Sequence, residues 1–238
     1  MMATTSQNAM RYVRQTMLPQ FGEEGQRKLS AAKALLVGVG GLGSPVAFYL
    51  AGAGVGHIGL MDPDKVAESN LHRQVLYNES DIGQSKVECA KKRLLELNSG
   101  LEVLCYPYRF NEENGEKIAS QYDLIIDGCD NFATRYLIDD ITFKLKIPFI
   151  HGSIGEFKGQ ISVFNYKNSS RYQDLYPRDD NMSIDESTLK GVLGPVPGVI
   201  GSLQALEAIK IITGIGTPLI NRLLTVDLLT MEILILNI

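Results

Sequence analysis

Tryptophan is absent from the 238 residues, and there are only three cysteines and three histidines. Cys89, Cys105 and Cys129 are far apart, which fits neither a disulfide framework nor a C-x-x-C zinc site. They read as small buried hydrophobes in a reducing compartment. A net charge of −4 leaves no basic footprint for nucleic acid. No apolar run reaches membrane-spanning length on this reading, and the start, MMATTSQNAM, lacks the basic-then-apolar layout of a signal peptide. The expectation is a cytoplasmic protein with neither membrane nor nucleic-acid partners. A G-x-x-x-x-G-K-S/T loop is missing too, so nucleotide binding of the P-loop kind is excluded. With 45% apolar and 21% charged residues, the composition is that of an ordinary globular protein, long enough for one large, well-buried domain.

What the chain does have is glycine in a telling place. Ala34 to Gly43 reads ALLVGVGGLG, an apolar strand running into glycines at 38, 40, 41 and 43. A strand that ends in G-x-G-x-x-G and opens a helix aims backbone N–H groups and the helix's positive end at one point, where phosphate oxygens sit. The helix is expected from about Leu42, with Ser44 and Pro45 in its first turn. His57 to Asp62 reads as a second strand ending in an acid. Asp62 lies about 20 residues past the glycines, the spacing at which a carboxylate meets a ribose hydroxyl. This much says nucleotide and leaves the choice between ATP and a dinucleotide open.

Arg11 to Leu29 alternates charged and apolar residues at helical spacing, predicting a short element against the sheet edge. Pro63 to Ser80 has the composition of a surface loop and holds Asn70, Arg73 and Gln74. An amphipathic helix follows from Asp81 to about Leu97, then a strand over Leu101 to Tyr106 and a helix capped by Asn111 and running to about Ser120. Asp123 to Gly128 is an apolar strand of the buried parallel type that stops at a second strand-to-helix corner, Gly128-Cys129-Asp130-Asn131. A helix to about Lys146, a strand over Pro148 to His151 and a strand with one wet face over Gln160 to Tyr166 come next. Lys167 to Pro195 shows no clear periodicity, which in a compact domain reads as a functional or a disordered loop. Val196 to Thr213 is an apolar helix entered through Pro195 and Pro197, and Arg222 to Asp227 and Glu232 to Ile238 form a closing pair of strands. The expected fold class is α/β: a Rossmann-like mixed sheet over a single domain, 1–238. Its N-terminal half is parallel with helices on both faces, and its C-terminal part is antiparallel.

The company the glycines keep favours ATP chemistry. Arg73 and Lys86 lie downstream of the second strand, in the loop and at the start of the next helix, within reach of the same crevice. Asp130 follows the fourth strand, so its carboxylate emerges at that end of the sheet, where it could hold a magnesium ion on phosphate oxygens. Two cations and a metal carboxylate suit phosphoryl or nucleotidyl transfer, and hydride transfer requires none of them. Singly, each has a structural alternative: Arg73 and Lys86 as solvated charges, Asp130 as a helix N-cap, Asp62 as a turn residue.

Seven blocks then align with a known group. RYVRQ at Arg11 to Gln15, GVGGLGSP at Gly38 to Pro45, the acid Asp62, SNLHRQ at Ser69 to Gln74, GQSKVE at Gly83 to Glu88, DGCDN at Asp127 to Asn131 and GVIGSLQALEAIK at Gly198 to Lys210 look like the ThiF/MoeB/HesA group. That group is the prokaryotic branch of the ubiquitin-activating-enzyme superfamily, and the blocks occur in order over about residues 10 to 235. The resemblance implies a homodimeric adenylyltransferase with a crossover loop at about 167–195. It would use ATP and magnesium to adenylylate the C-terminal Gly-Gly carboxylate of a small ubiquitin-fold sulfur-carrier protein, releasing pyrophosphate. By the same resemblance Gly41, in the corner made by Gly38, Gly40 and Gly43, contacts the phosphates through its N–H, and Asp62 takes the ribose. Asn70, Arg73 and Lys86 lie on the phosphate side, Asp130 is linked to the metal with Asn131 beside it, and Arg14 reaches the active site from the other subunit. The implied catalytic set is Arg14, Arg73, Lys86 and Asp130.

Two departures stand out. Many members bind structural zinc through two C-x-x-C pairs, but the first falls here on Arg171-Tyr172-Gln173-Asp174 and there is no second, so no zinc is expected. Some members carry a crossover-loop cysteine four residues before the position of Gly191, where this chain has Ser187. A hydroxyl is a poor stand-in for a thiolate, which argues against persulfide chemistry there. Two other readings stand beside the enzyme: a catalytically idle dimeric scaffold, motivated by these losses, and an NAD-dependent oxidoreductase, resting on the glycines and Asp62 alone. The sequence does not choose between a thiamine-type and a molybdopterin-type carrier.

Overall fold

The computed structural model describes residues 3–178 and 191–238. Two helices, α1 (Ala3–Thr16) and α2 (Gly22–Ala31), stand where the spacing predicts one short element. β1 (Lys33–Val37), α3 (Gly43–Ala53) and β2 (His57–Met61) form the first crossover unit. Then come α4 (Lys86–Leu97), β3 (Glu102–Tyr106), α5 (Gly115–Ala119), β4 (Leu124–Asp127), α6 (Phe132–Leu145) and β5 (Phe149–Gly155). β6 (Lys158–Phe164), the one-turn α7 (Tyr172–Leu175), α8 (Pro195–Thr213), β7 (Arg222–Asp227) and β8 (Glu232–Asn237) complete the described chain. One sheet holds all eight strands in the order β3-β2-β1-β4-β5-β6-β7-β8. The first five strands run parallel, and β6, β7 and β8 are antiparallel. The expected mixed sheet is the observed one.

Successive side chains of β1 point to opposite faces, and both faces are covered. Leu36 and Ile126 share one core with Leu50 of α3, Leu94 of α4 and Ile200 of α8. Leu35 and Ile125 share the other with Ile118 of α5 and Ile138 of α6. Each of these side chains, fully buried, contributes roughly 1.5–3 kcal/mol.

The differences from expectation have local causes. The segment 63–80 is not a plain surface loop, because Val66, Gln74, Leu76 and Tyr77 are buried. The helix expected from Asp81 starts at Lys86, after a short 3-10 turn over Glu79–Asp81. Asn111 spends its side chain on the N–H groups of Glu113 and Asn114, so that helix begins only at Gly115. β5 runs past His151 to Gly155 as one arm of a hairpin with β6. β6 is wet only at its start, where Lys158 is exposed and Gln160 half-buried; Ile161, Ser162, Val163 and Phe164 are all buried, under α8 on one side and the rings of Phe149 and Tyr172 on the other. α8, at 19 residues and a mean hydropathy of 1.3, is long and apolar enough by composition to cross a membrane, which corrects the reading that no run reaches that length. Half of that stretch is buried, and the helix packs on α3 and the sheet. The middle of the irregular stretch, 179–190, lies outside the described residues, and Ser187 with it.

Candidate nucleotide site

The strand order reverses between β1 and β4, and α3 and α6 leave these strands to opposite faces. In open α/β sheets ligands bind in the crevice beyond the carboxyl ends at such a switch point. Here both corners are built of glycine and touch back to back. Gly38 has φ +92, and a Cβ there would sit 2.5 Å from the Gly128 carbonyl oxygen. A Cβ on Gly128, or one on Gly43, would come within 2.2 Å of the Gly38 oxygen. At Gly40 and Gly41 a Cβ would meet only side chains, Gln74 at 3.5 Å and Pro197 at 3.3 Å. There glycine keeps the backbone open to a ligand rather than relieving a backbone clash.

Val39, between the glycines, is fixed at both ends. Its N–H donates to Asp62 Oδ2 at 2.8 Å, and its carbonyl accepts from the buried Tyr77 hydroxyl at 2.8 Å. Asp62, just past β2, also accepts from the Asp64 N–H through Oδ1, at 2.9 Å. Lys86, the first residue of α4, is only 6% exposed, with Nζ 2.9 Å from Asp64 Oδ2 and 4.0 Å from Asp62 Oδ1. It is therefore no solvated surface charge; a buried ammonium is tolerated only when paired, and two carboxylates pair it. Burial lifts the Asp62 carboxyl above its ordinary range, against the opposing pull of Lys86 and the two N–H groups.

Arg73 is half-buried with its Cδ 3.7 Å from the Cβ position of Gly41, while Nη1 donates to the Ser69 carbonyl at 2.8 Å and lies 3.0 Å from His72 Nε2. Asn70 closes the 3-10 turn over Glu68–Asn70 by accepting from the Ala67 N–H at 3.1 Å. Across the crevice Asp130 is exposed. The N-cap of α6 is Asn131, whose Oδ1 accepts from the Thr134 N–H at 2.9 Å, so Asp130 is relieved of capping. Among the described residues Asp130 Oδ1 accepts only a long contact, 3.4 Å, from Asn131 Nδ2. The fold thus gathers Gly38, Gly40, Gly41, Gly43, Asp62, Asn70, Arg73 and Lys86 at one corner, with Asp130 and Asn131 at the other. It does not bring Arg14 to them. α1 is tied down by Arg11 to the Leu97 carbonyl and by Gln15 to the Ala53 carbonyl, at the C-terminal ends of α4 and α3, away from the corner where α3 begins.

Several residues the sequence left unremarked belong to this region. Asp64 holds Lys86, and its place two residues after Asp62 was its one signal. Tyr77 gave none and Gln74 read only as part of a surface loop, because their burial depends on the packing of 63–80. Beneath the second corner lies a buried cluster. Asp127 Oδ1 accepts from the Cys129 N–H at 3.0 Å and Sγ at 2.8 Å, and its Oδ2 accepts from Arg135 Nε at 3.0 Å and His151 Nδ1 at 2.9 Å. Burial opposes the Asp127 charge, but Arg135 and the bonds from His151 and Cys129 outweigh it and hold the carboxyl below its ordinary range. Burial and the Asp127 charge push the Cys129 thiol far up, and burial pushes Cys105 to about 12, so neither is a ready nucleophile. Arg171, where a first zinc pair would fall, instead sets Nη2 3.1 Å from Asp139 Oδ2 and 2.7 Å from Asp140 Oδ1. Among the described residues no group of three or more His, Cys, Asp or Glu could hold a metal ion.

A doubly wound sheet whose switch point carries a glycine corner, a buried paired lysine and an exposed carboxylate has the architecture that nucleotide-binding α/β proteins use. The chain belongs to the ThiF family, whose model matches residues 12–238. It is 44% identical over 234 residues to a sulfur carrier protein adenylyltransferase of Thermus thermophilus, covering 96% of this chain and 86% of that protein. To the adenylyltransferase and sulfurtransferase MOCS3-1 of Zea mays it is 45% identical over 224 residues, 94% of this chain and 48% of the other. The chain spans about half the length of the MOCS3 relatives it matches. The solved structure of E. coli MccB with succinimide matches with a TM-score of 0.83 at 26% identity, over 95% of this chain and 70% of that one.

Proposed function

We propose that this chain, as a homodimer, uses ATP and magnesium to adenylylate the C-terminal Gly-Gly carboxylate of a small ubiquitin-fold sulfur-carrier protein. The observation that carries the reading is Lys86, an ammonium buried beside the glycine corner and held there by Asp62 and Asp64. The name of the Thermus thermophilus relative points the same way.

A carrier carboxylate oxygen attacks the α-phosphorus of ATP, the bond to the bridging oxygen breaks, and pyrophosphate leaves; the product is an acyl adenylate. An anion attacks an anion, so cations fixed beforehand supply several kcal/mol of relief. The N–H groups at Gly40 and Gly41 and the start of α3 take phosphate oxygens. Lys86 and Arg73 offset the charge that builds on the departing pyrophosphate. Asp62, with lone pairs to spare on both oxygens, accepts from ribose hydroxyls. Asp130 fits a magnesium site, because this ion binds one or two carboxylates together with phosphates and water rather than a protein cage. Bound there, the ion would draw charge from the phosphates. Asn131 keeps the α6 N-terminus at the corner.

Arg14, remote from its own corner, would serve the partner's site. An apolar depression of about 600 Å³ beside the corner, lined by Pro45, Phe48, Tyr49, Val75 and Val199, is the face proposed for the second copy. A groove of about 430 Å³ at the ends of β5 to β8, lined by Ser153, Gly155, Gln160, Thr225 and Leu234, opens at the same end of the sheet as the corner. Beside it β8 exposes Ile233, Leu234, Ile235 and Leu236, an apolar seat for the carrier's body, while a Gly-Gly tail is thin enough to thread the groove.

The test is ATP–pyrophosphate exchange, expected to need both magnesium and a Gly-Gly carrier. Arg73→Ala and Asp130→Ala should each lower it by at least roughly 100-fold. Near-normal exchange in both variants would sink the role assignment. Magnesium-ATP binding without exchange would favour the idle scaffold, and preference for NADH the oxidoreductase.

A further inference from the structure

Three buried groups beneath the second corner are not used by the chemistry above. Asp127 and His151 have no exposure and Arg135 has 8%. They converge on Cys129, the residue before Asp130. Asp127 takes the Cys129 N–H and thiol, and Arg135 Nη2 donates to the Cys129 carbonyl at 2.9 Å. Gln204 of α8 holds the Asp127 carbonyl from behind at 2.7 Å. The back-to-back contact of Gly128 with Gly38 sets this turn in register with the phosphate corner.

Stability does not account for the cluster's composition. His151 is ringed by Phe149, Phe164, Tyr172 and Tyr176 at centroid distances of 5.0 to 6.1 Å, and its Nε2 has no partner among the described residues. A leucine would fill this apolar space without orphaning a nitrogen. What histidine adds is one bond, Nδ1–H to Asp127. Buried ion pairs such as Arg135 with Asp127 are likewise poor stabilisers compared with apolar packing, but they fix geometry.

We propose that Asp127, Arg135 and His151 are positioning residues: a buried clamp that fixes the Cys129 backbone and so aims the Asp130 carboxylate at the glycine corner. The inference rests on the role proposed for Asp130. His151 sets Oδ2 of Asp127 against Arg135, Asp127 and Arg135 together grip both sides of Cys129, and the direction of Asp130 follows.

The experiment is calorimetric titration of ATP into the full chain at stepped magnesium, with melting temperatures measured in parallel. His151→Leu keeps the bulk and loses the donor, and it should raise the magnesium needed for half-maximal tightening by about 10-fold, with magnesium-free ATP affinity unchanged. His151→Asn, whose amide can donate from near the Nδ1 position, should restore the wild-type response although it melts lower than the leucine variant. Arg135→Lys, which cannot reach Asp127 and the Cys129 carbonyl together, should behave like His151→Leu. A magnesium response that tracks melting temperature, or is unchanged in both His151→Leu and Arg135→Lys, overturns the clamp. If Asp130→Asn itself leaves the magnesium response untouched, the reading of Asp130 has failed and the clamp's purpose with it.

Discussion

Lys86 and Arg73 are cations of one crevice held in opposite ways. Lys86 is locked between two carboxylates, whereas Arg73 rests on a backbone carbonyl and a histidine nitrogen, bonds that a phosphate can displace. Removing the lock should therefore show: Asp64→Ala is expected to cut exchange by about 10- to 100-fold through misplacement of Lys86, while Lys86 itself is intact. Exchange at the wild-type rate would mean that Asp62 alone positions the ammonium. The glycines divide in the same physical terms. Gly128→Ala drives a Cβ to 2.2 Å from a backbone oxygen and should cost about 1–3 kcal/mol or more in urea unfolding. Gly52, inside α3 with nothing within 4 Å of its Cβ position, should give the opposite sign, with Gly52→Ala gaining about 0.5–1 kcal/mol.

The pairing of β4 with β5 brings His151 beside Asp127, and it carries a pH dependence. Burial holds the His151 imidazole below its ordinary value of 6.5, against the pull of Asp127. As pH falls below 6.5 the unfolded chain takes up this proton before the folded chain does. Stability is then full above about pH 6.5 and declines as pH falls toward the folded value. Urea midpoints at pH 7.5 and 5.5 should differ in the wild type and differ less in His151→Asn. A second decline follows in stronger acid, because the Asp127 carboxyl sits below its ordinary 3.8 and must be protonated. These couplings were not legible in the sequence. His151 read only as the end of a strand, since nothing in a linear pattern shows which acid a neighbouring strand delivers. The elements themselves were legible where one period dominated: the apolar run 124–127, the helix 195–213 and the final strand pair stand close to their expected places. The stretch 63–80 was misjudged for the converse reason. Its polar composition masks Val66, Leu76 and Tyr77, whose burial is set by partners far along the chain.

At the scale of the whole molecule, the role proposed for Arg14, which packs away from its own corner, would make a site that needs two chains. Arg14→Ala and Asp130→Ala should each be inactive alone, and mixing equal amounts with subunit exchange should return about a quarter of wild-type exchange, because half the dimers carry one complete site of two. Absence of any recovery would place Arg14 outside the partner's chemistry. The seat proposed for the carrier is separable from both corners. Leu234→Asp should raise the KM for carrier several-fold and leave ATP binding unchanged, as a charge on an apolar contact surface does. The glycine corner and its lysine were readable from order and spacing alone, while this seat was not, since β8 is distinguished only by having all six residues exposed. The floor of the crevice, by contrast, consists of main chain. Gly38, Gly43 and Gly128 admit no side chain, and at Gly40 and Gly41 a Cβ would meet only the side chains of Gln74, Pro197 and Arg73. Such a floor offers substitution little to alter without a clash against main chain or a neighbouring side chain. On the function proposed, substitution is left to the rim and to β8, where an exchange of acyl partner by ordinary mutation would leave the nucleotide the same.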